Sequence, residues 1–146
     1  MREMVSQDQL EIRIKGLEEH IRAENQHDVE AIMRSFAPGG VLVFNGVAMG
    51  NHAVIRTVHE QLGFGQGGGF SDLRIEVKHR YVSEEAITLE QVVTGTHTGE
   101  WMGISPTGRK IAVAVCTVYK FDREGKLVSE NVYMDTGGML KQLGAL

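Results

Sequence analysis

The hydrophobic period of this 146-residue chain changes once, close to residue 70, and that change limits what the chain can fold into. Before it, apolar residues recur every three or four positions. Leu10, Ile14, Leu17 and Ile21 fall on one helical face, with Glu11, Lys15, Glu18 and Arg22 opposite. Ser6 followed by Gln9 reads as a capping box at the start of that helix. Asp28 suits the N-cap of a shorter helix through Phe36, whose apolar side is Val29, Ile32, Met33 and Phe36. "APGG" at 37–40 is expected to end it, because proline breaks a helical ladder and glycine frees the backbone. "VLVFN" at 41–45 reads as a short buried strand. Gly50 or Asn51 then opens a third helix to about Leu62, with Val54, Ile55, Val58 and Leu62 apolar.

From residue 71 the period is two. Leu73, Ile75, Val77, His79 and Tyr81 alternate with Asp72, Arg74, Glu76, Lys78 and Arg80, which predicts one buried and one wet face. In the next run Ile87, Leu89, Gln91, Val93, His97 and Trp101 share a side. Ile111 to Phe121 is a long β-branched strand, "DREGK" at 122–126 a hairpin turn, and Leu127 to Asp135 the last strand. Helices followed by an antiparallel meander make an α+β domain, with the sheet curving over the helices. Neither an internal repeat nor a linker interrupts residues 1–146, so the chain is read as a single domain.

The connector "GFGQGGGF" at 63–70 holds five glycines but no Lys-Ser/Thr pair, so it is not a phosphate loop; it reads as a mobile connector or lid. Net charge is −4 and the basic residues are scattered, which excludes a phosphate-neutralising stripe and makes nucleic acid an unexpected partner. The single cysteine, Cys116, cannot form an intramolecular disulfide, and its apolar β-like surroundings predict a small buried hydrophobe. No run has the length of a signal peptide or a membrane span, so the expectation is a soluble, cytoplasmic protein without a membrane partner.

Candidate polar site residues follow from strand parity. Asp135 ends the last strand directly before a Gly-Gly break, either as a helix cap or as the acid or base of a buried site. Leu127, Ser129, Asn131, Tyr133 and Asp135 share one face; Val128, Glu130, Val132 and Met134 share the other, and both faces are mixed. If Asp135 looks inward, Asn131 and Tyr133 line the pocket with it. His79 and His97 sit on apolar faces, as core residues or as pocket groups, and Trp101 follows His97 on the same side. His52 and His59, seven apart on the third helix, have no local carboxylate to complete a ligand set and are read as surface or interface residues.

"GTHTGEWMGISPTGRKI" (95–111) and "DREGKLVSENVYMDTGGMLKQLG" (122–144) resemble the SnoaL-like polyketide cyclase family of the NTF2-like superfamily. The family pattern runs G-x-H-x-G, G-x-P-P-T-G-R, a D-G-K turn, a strand ending in Asp and a closing L-L-x-Q-L-G. Here Ser105 replaces the first proline, and the last strand reads Ser129 then Asn131 where relatives often carry a tryptophan two residues after a glutamate. The resemblance implies a cone of three N-terminal helices on a strongly curved antiparallel sheet, with an interior cavity. It implies an intramolecular aldol condensation without cofactor or metal, in which Asp135 moves the proton and His97 assists. Asn131, Tyr133, Trp101 and His79 would then contact substrate, a small hydrophobic or polyketide-like ligand. A homodimer through the convex, Thr- and Val-rich sheet face is also implied. An isomerase or epoxide hydrolase on the same scaffold, or a binding module without catalysis, are the alternative readings.

Overall fold

The computed structural model describes residues 4–146; Met1, Arg2 and Glu3 lie outside the described residues. Helix α1, Gln7–Asn25, begins where expected: the Gln9 amide donates to Ser6 Oγ at 3.1 Å. The capping box is half formed, since the Gln9 side chain reaches across to donate to the Arg123 carbonyl instead. Helix α2, Val29–Arg34, is capped by Asp28, which accepts from the Ala31 amide at 3.0 Å. Helix α3, His52–His59, is capped in the same way by Asn51. It stops short of Leu62 because a widened turn follows over Glu60–Phe64, with Gly63 at φ +146. A side chain at Gly63 would also collide with the Phe70 carbonyl.

Six strands follow the order β2-β1-β6-β5-β4-β3. They are β1 Phe36–Phe44, β2 Val47–Met49, β3 Arg74–Val82, β4 Ile87–Thr96, β5 Lys110–Phe121 and β6 Leu127–Met134. The sheet is curled but open, with β2 and β3 as its edges. It is mixed and not wholly antiparallel, because β1 runs parallel to β6. The meander expected from residue 71 onward is present as β3, β4, β5 and β6, each paired antiparallel with the next. The parallel addition is β1, which follows α2 and lies beside the chain's own last strand.

"APGG" does not terminate a helix. It lies inside β1 as an irregularity: the register jumps from Phe36↔Leu127 to Val41↔Ser129. Pro38, which has no amide for a ladder, is exposed there. A second bulge separates Val77 from His79 in β3, so parity fails beyond it. Ile75 is buried, yet Val77, His79 and Tyr81 are exposed.

Inner faces of β4 and β5 supply Ile87, Leu89, Val93, Ile111, Val113, Val115 and Tyr119 to the core. Leu17 and Ala23 of α1, Ile32 of α2 and Ile55 of α3 close it from the other side. Helix α4, Thr136–Gln142, seals one end with Met139. Cys116 is half-buried on the outer face, where β5 pairs with Glu90 and Tyr133, which corrects its expected burial.

The Gly-rich connector is packed. The Gly69 and Phe70 amides donate to the Gln61 and Leu62 carbonyls, and the Thr98 and Gly99 amides donate to the Gly69 carbonyl. Gly68, Gly69 and Phe70 are buried. Hydrogen bonds thus tie the segment read as a mobile connector or lid to the turn after α3 and to the loop after β4.

Candidate active site

Two helices and the sheet enclose a cavity of about 50 Å³. Its wall is apolar over most of its extent: Leu42, Phe44, Val58, Leu62, Phe64, Val93, Val115, Val132 and Met134 line it. Phe44, Val58 and Leu62 are half-buried and mark the side nearest solvent. Toward the interior the lining becomes polar, through Gln91, Thr117 and Tyr119 to Glu24, His59 and Glu130. Thr117 Oγ1 donates to Gln91 Oε1 at 3.0 Å, and the Gln91 amide lies 3.5 Å from the Tyr119 hydroxyl.

At that polar end four ionisable side chains meet. His20 and Glu24 come from one turn of α1, His59 from the end of α3, and Glu130 from the middle of β6. All four are buried, at 0%, 3%, 4% and 4% exposure. His20 Nε2 lies 3.4 Å from Glu24 Oε1 and 3.6 Å from Glu130 Oε2. His59 Nε2 lies 3.6 Å from Glu24 Oε2 and 3.8 Å from Glu130 Oε2. Among the described residues no hydrogen bond satisfies His20 Nε2, Glu24 Oε1 or Glu130 Oε2.

The outer nitrogen of each imidazole is held. His20 Nδ1 lies 2.7 Å from Ser35 Oγ, whose own hydrogen is directed at the Ile32 carbonyl. His59 Nδ1 lies 2.8 Å from the Ile55 carbonyl. Both Nδ1 atoms therefore act as donors, which turns both Nε2 atoms toward the carboxylates.

Burial dominates the electrostatics of this cluster. It raises Glu24 far above the usual carboxylate range, with Glu130 adding to the rise and His20 opposing it. It would lower His20, but the Coulomb attraction of Glu24 and Glu130 outweighs it and raises the imidazole. Burial lowers His59 despite Glu130. Glu130 goes the other way from Glu24: burial would raise it, and His20 beside it brings it down. The cluster can thus hold a protonated His20 against an ionised Glu130 with near-zero net charge.

The residues expected from the sequence lie elsewhere. Asp135 is exposed and caps α4, its carboxylate accepting from the Gly138 amide at 2.8 Å. Of the two alternatives drawn for Asp135 the structure shows the cap, and its carboxylate does not line the cavity. Asn131 and Tyr133 share its side of β6 but point to the outer face, where Tyr133 is 53% exposed. His79 is exposed, just past the β3 bulge.

His97 is buried but outside the cavity: Nδ1 accepts from the Thr107 amide at 3.1 Å, and the ring stacks on Phe70 at 5.3 Å. Trp101 packs against the same Phe70. His97 and Trp101 thus come together around Phe70, bracing the loop before β5, and none of the six lines the cavity. His59, expected at the surface, is one of the buried four. Replacing Asp135 with Ala is expected to cost about 1 kcal/mol of stability, the usual worth of an N-cap, read as a small fall in the urea midpoint.

Relatives agree with this architecture. A family model described as SnoaL-like polyketide cyclase matches residues 15–143. The chain belongs to that family. No curated protein matches the chain significantly. Among solved structures, the SnoaL-like chain is similar to AclR of Streptomyces galilaeus, described as a candidate hydroxylase, with 26% identity and a TM-score of 0.80. The match covers 94% of this chain and 83% of that one. A candidate SnoaL-like polyketide cyclase from Jannaschia sp. CCS1 matches at 18% identity and TM-score 0.79, over 97% of this chain and 99% of that one. An LEH-like epoxide hydrolase of M. tuberculosis matches at 17% identity and TM-score 0.69, over 92% and 90% of the respective chains. The last two show that the SnoaL-like fold is shared. Among the described residues no helix is long and apolar enough to cross a membrane.

Proposed function

We propose that this SnoaL-like protein is an enzyme that moves a proton on a small, largely apolar carbonyl compound, in the manner of a polyketide cyclase. The supporting observation is the cavity: an apolar chamber ending on buried carboxylates with unpartnered oxygens. A ligand's apolar body would lie against Leu42, Phe44, Val58 and Met134, with its reacting carbon and oxygen toward Glu24, His59 and Glu130. Removing a C–H proton flanked by carbonyls gives an enolate, and attack of that carbon on a second carbonyl of the same molecule closes a ring. A proton that is already acidic needs mainly positioning and a dry, oriented acceptor. In this reading Asp135 caps α4 and takes no part in the chemistry.

A chamber of about 50 Å³ fits the reacting end of a ligand, with the rest emerging between Phe44, Val58 and Leu62. An epoxide hydrolase built on paired carboxylate and arginine is disfavoured, because among the described residues no arginine lines the cavity. The test is hydrogen–deuterium exchange at the central carbon of a small β-dicarbonyl probe, followed by NMR. Exchange above the buffer rate is expected. A probe that binds without accelerated exchange would instead make the protein a binding module.

The same reading includes a homodimer through the outer face of the sheet. Tyr81 and Tyr133 are each 53% exposed there. Light scattering at micromolar concentration should give twice the chain mass, and Tyr133→Arg should return it to the monomer value by placing a charge in an apolar contact. A monomeric wild type would remove the dimer.

A further inference from the structure

We propose that His20, Glu24, His59 and Glu130 form a binding site for a divalent first-row transition cation, of which Zn²⁺ is the simplest case. This goes beyond the proton-transfer reading and stands without it. It also departs from the metal-free expectation drawn from the sequence, where His59 had no visible carboxylate partner.

The argument starts from lone pairs. Ser35 and Ile55 require both Nδ1 atoms to donate, so in the neutral imidazoles each Nε2 presents a lone pair to the centre of the cluster. The groups facing them are carboxylate oxygens, which present lone pairs as well. Something positive must lie between. Protons are one possibility, but a protonated imidazole beside a carboxylate closes to about 2.7–2.9 Å. Here the four nitrogen–oxygen separations are 3.4, 3.6, 3.6 and 3.8 Å, evenly spread and all too long for such bonds.

A central cation accounts for these separations, with Glu24 facing His20 through one oxygen and His59 through the other. Tetrahedral Zn²⁺ binds nitrogen and oxygen at roughly 2.0–2.2 Å, which sets neighbouring ligand atoms about 3.3–3.6 Å apart. One ligand atom from each of the four residues lies within 4.8 Å of all the others. Two carboxylates offset the two charges of the cation, so the dry site is neutral when filled. Two imidazoles and two carboxylates suit Zn²⁺ and its first-row neighbours and give no preference for Ca²⁺ or Mg²⁺, which favour all-oxygen shells. Each histidine is also oriented through its far nitrogen, the arrangement that metal-bound imidazoles adopt. The cavity reaches Glu24, His59 and Glu130, so a ligand oxygen entering past Val58 would meet the cation directly.

Chelator-stripped protein titrated with ZnCl₂, and separately with CoCl₂, tests this. We expect one equivalent of either cation per chain, visible d–d bands for Co²⁺, and a rise in Tm with added Zn²⁺. Glu24→Gln and Glu130→Gln should each abolish the stoichiometric step. Ser35→Ala keeps all four ligands and should weaken binding by about 10–100-fold, the usual cost of losing an outer hydrogen-bond partner. Circular dichroism establishes that each variant is folded. The site is overturned if wild-type protein takes up no stoichiometric Zn²⁺, or if uptake survives both glutamine substitutions. Loss of exchange activity in Glu130→Gln without any Zn²⁺ uptake by wild type would overturn the cation and leave the proposed reaction standing.

Discussion

Glu24→Gln and Glu130→Gln are each expected to lower proton exchange on a β-dicarbonyl probe by at least about 100-fold, whereas Asp135→Asn should stay within about twofold of wild type. Glutamine keeps the volume and planarity of the side chain, so the cavity should keep its shape. Glu130→Gln loses the negative oxygen that can accept a proton, Glu24→Gln loses the raised carboxyl that can exchange one, and each loses a partner of His20 and His59. Asp135 has the opposite standing. Its carboxylate is exposed and spent on the Gly138 amide, and asparagine is as good an N-cap, so neither the cavity nor α4 should notice the change. The comparison separates the interior reading from the strand-end reading in one assay. Equal activity of Glu130→Gln and wild type, or a large loss in Asp135→Asn, would return the chemistry to the end of β6. Thermal melts of all three variants show whether a loss is chemical or structural.

Why the strand end drew attention in the sequence, and the interior cluster did not, has a physical basis. Parity divides β6 into two mixed faces, and each carries one carboxylate. The deciding fact is which face the helices cover, and that depends on contacts between residues more than a hundred positions apart. A lone glutamate among Val128, Val132 and Met134 was nevertheless a signal, since an acid on an apolar face has to find a partner. His20 and Glu24 carried a similar one: they follow Leu17 by three and seven residues, which continues the buried stripe of α1. His59 was legible in the same way, four residues after Ile55 on α3.

The fold itself was more legible, because it depends on period and local capping. Ser6, Asp28 and Asn51 cap the three helices as expected. The alternation in Ile87–Val93 gives the inner face without error, and the same alternation in Ile111–Phe121 puts Cys116 on the outer side, against its expected burial. The failures coincide with irregular strands, at Ala37–Gly40 in β1 and between Val77 and His79 in β3, where extra residues break the two-residue repeat. His79 lies just past the second irregularity, on a stretch of β3 that is exposed from Glu76 to Val82 whichever parity is taken.

A close approach of two backbones, invisible in the sequence, underlies the second large effect. Gly16→Leu is expected to lower stability by about 3 kcal/mol, a fall in Tm of roughly 10 °C for a domain of this size. Glycine in mid-helix is ordinarily a defect: alanine there gains up to about 1 kcal/mol. At Gly16, however, a Cβ would run into the Gly125 carbonyl in the turn between β5 and β6. The turn cannot give way easily. Gly125 itself sits at φ +80, and a side chain there would lie 2.8 Å from the Ile12 carbonyl. Helix α1 thus lies directly on the hairpin, and Gln9 is tied to Arg123 one turn earlier. Backbone-to-backbone contact outweighs helix propensity, so even Gly16→Ala should destabilise, though less than leucine. Gly137→Ala supplies the contrast: a Cβ there meets nothing nearer than Asp135 Oδ1 at 3.9 Å, and the change should be neutral or mildly stabilising. Because His20 and Glu24 lie one and two turns beyond Gly16 on the same helix, a shifted α1 also moves two of the four buried ligating groups. Gly16→Leu should therefore reduce exchange activity and Zn²⁺ uptake at temperatures well below its own melting point, and a variant that loses stability alone, with activity and uptake unchanged, would show that the cluster does not depend on how α1 is seated.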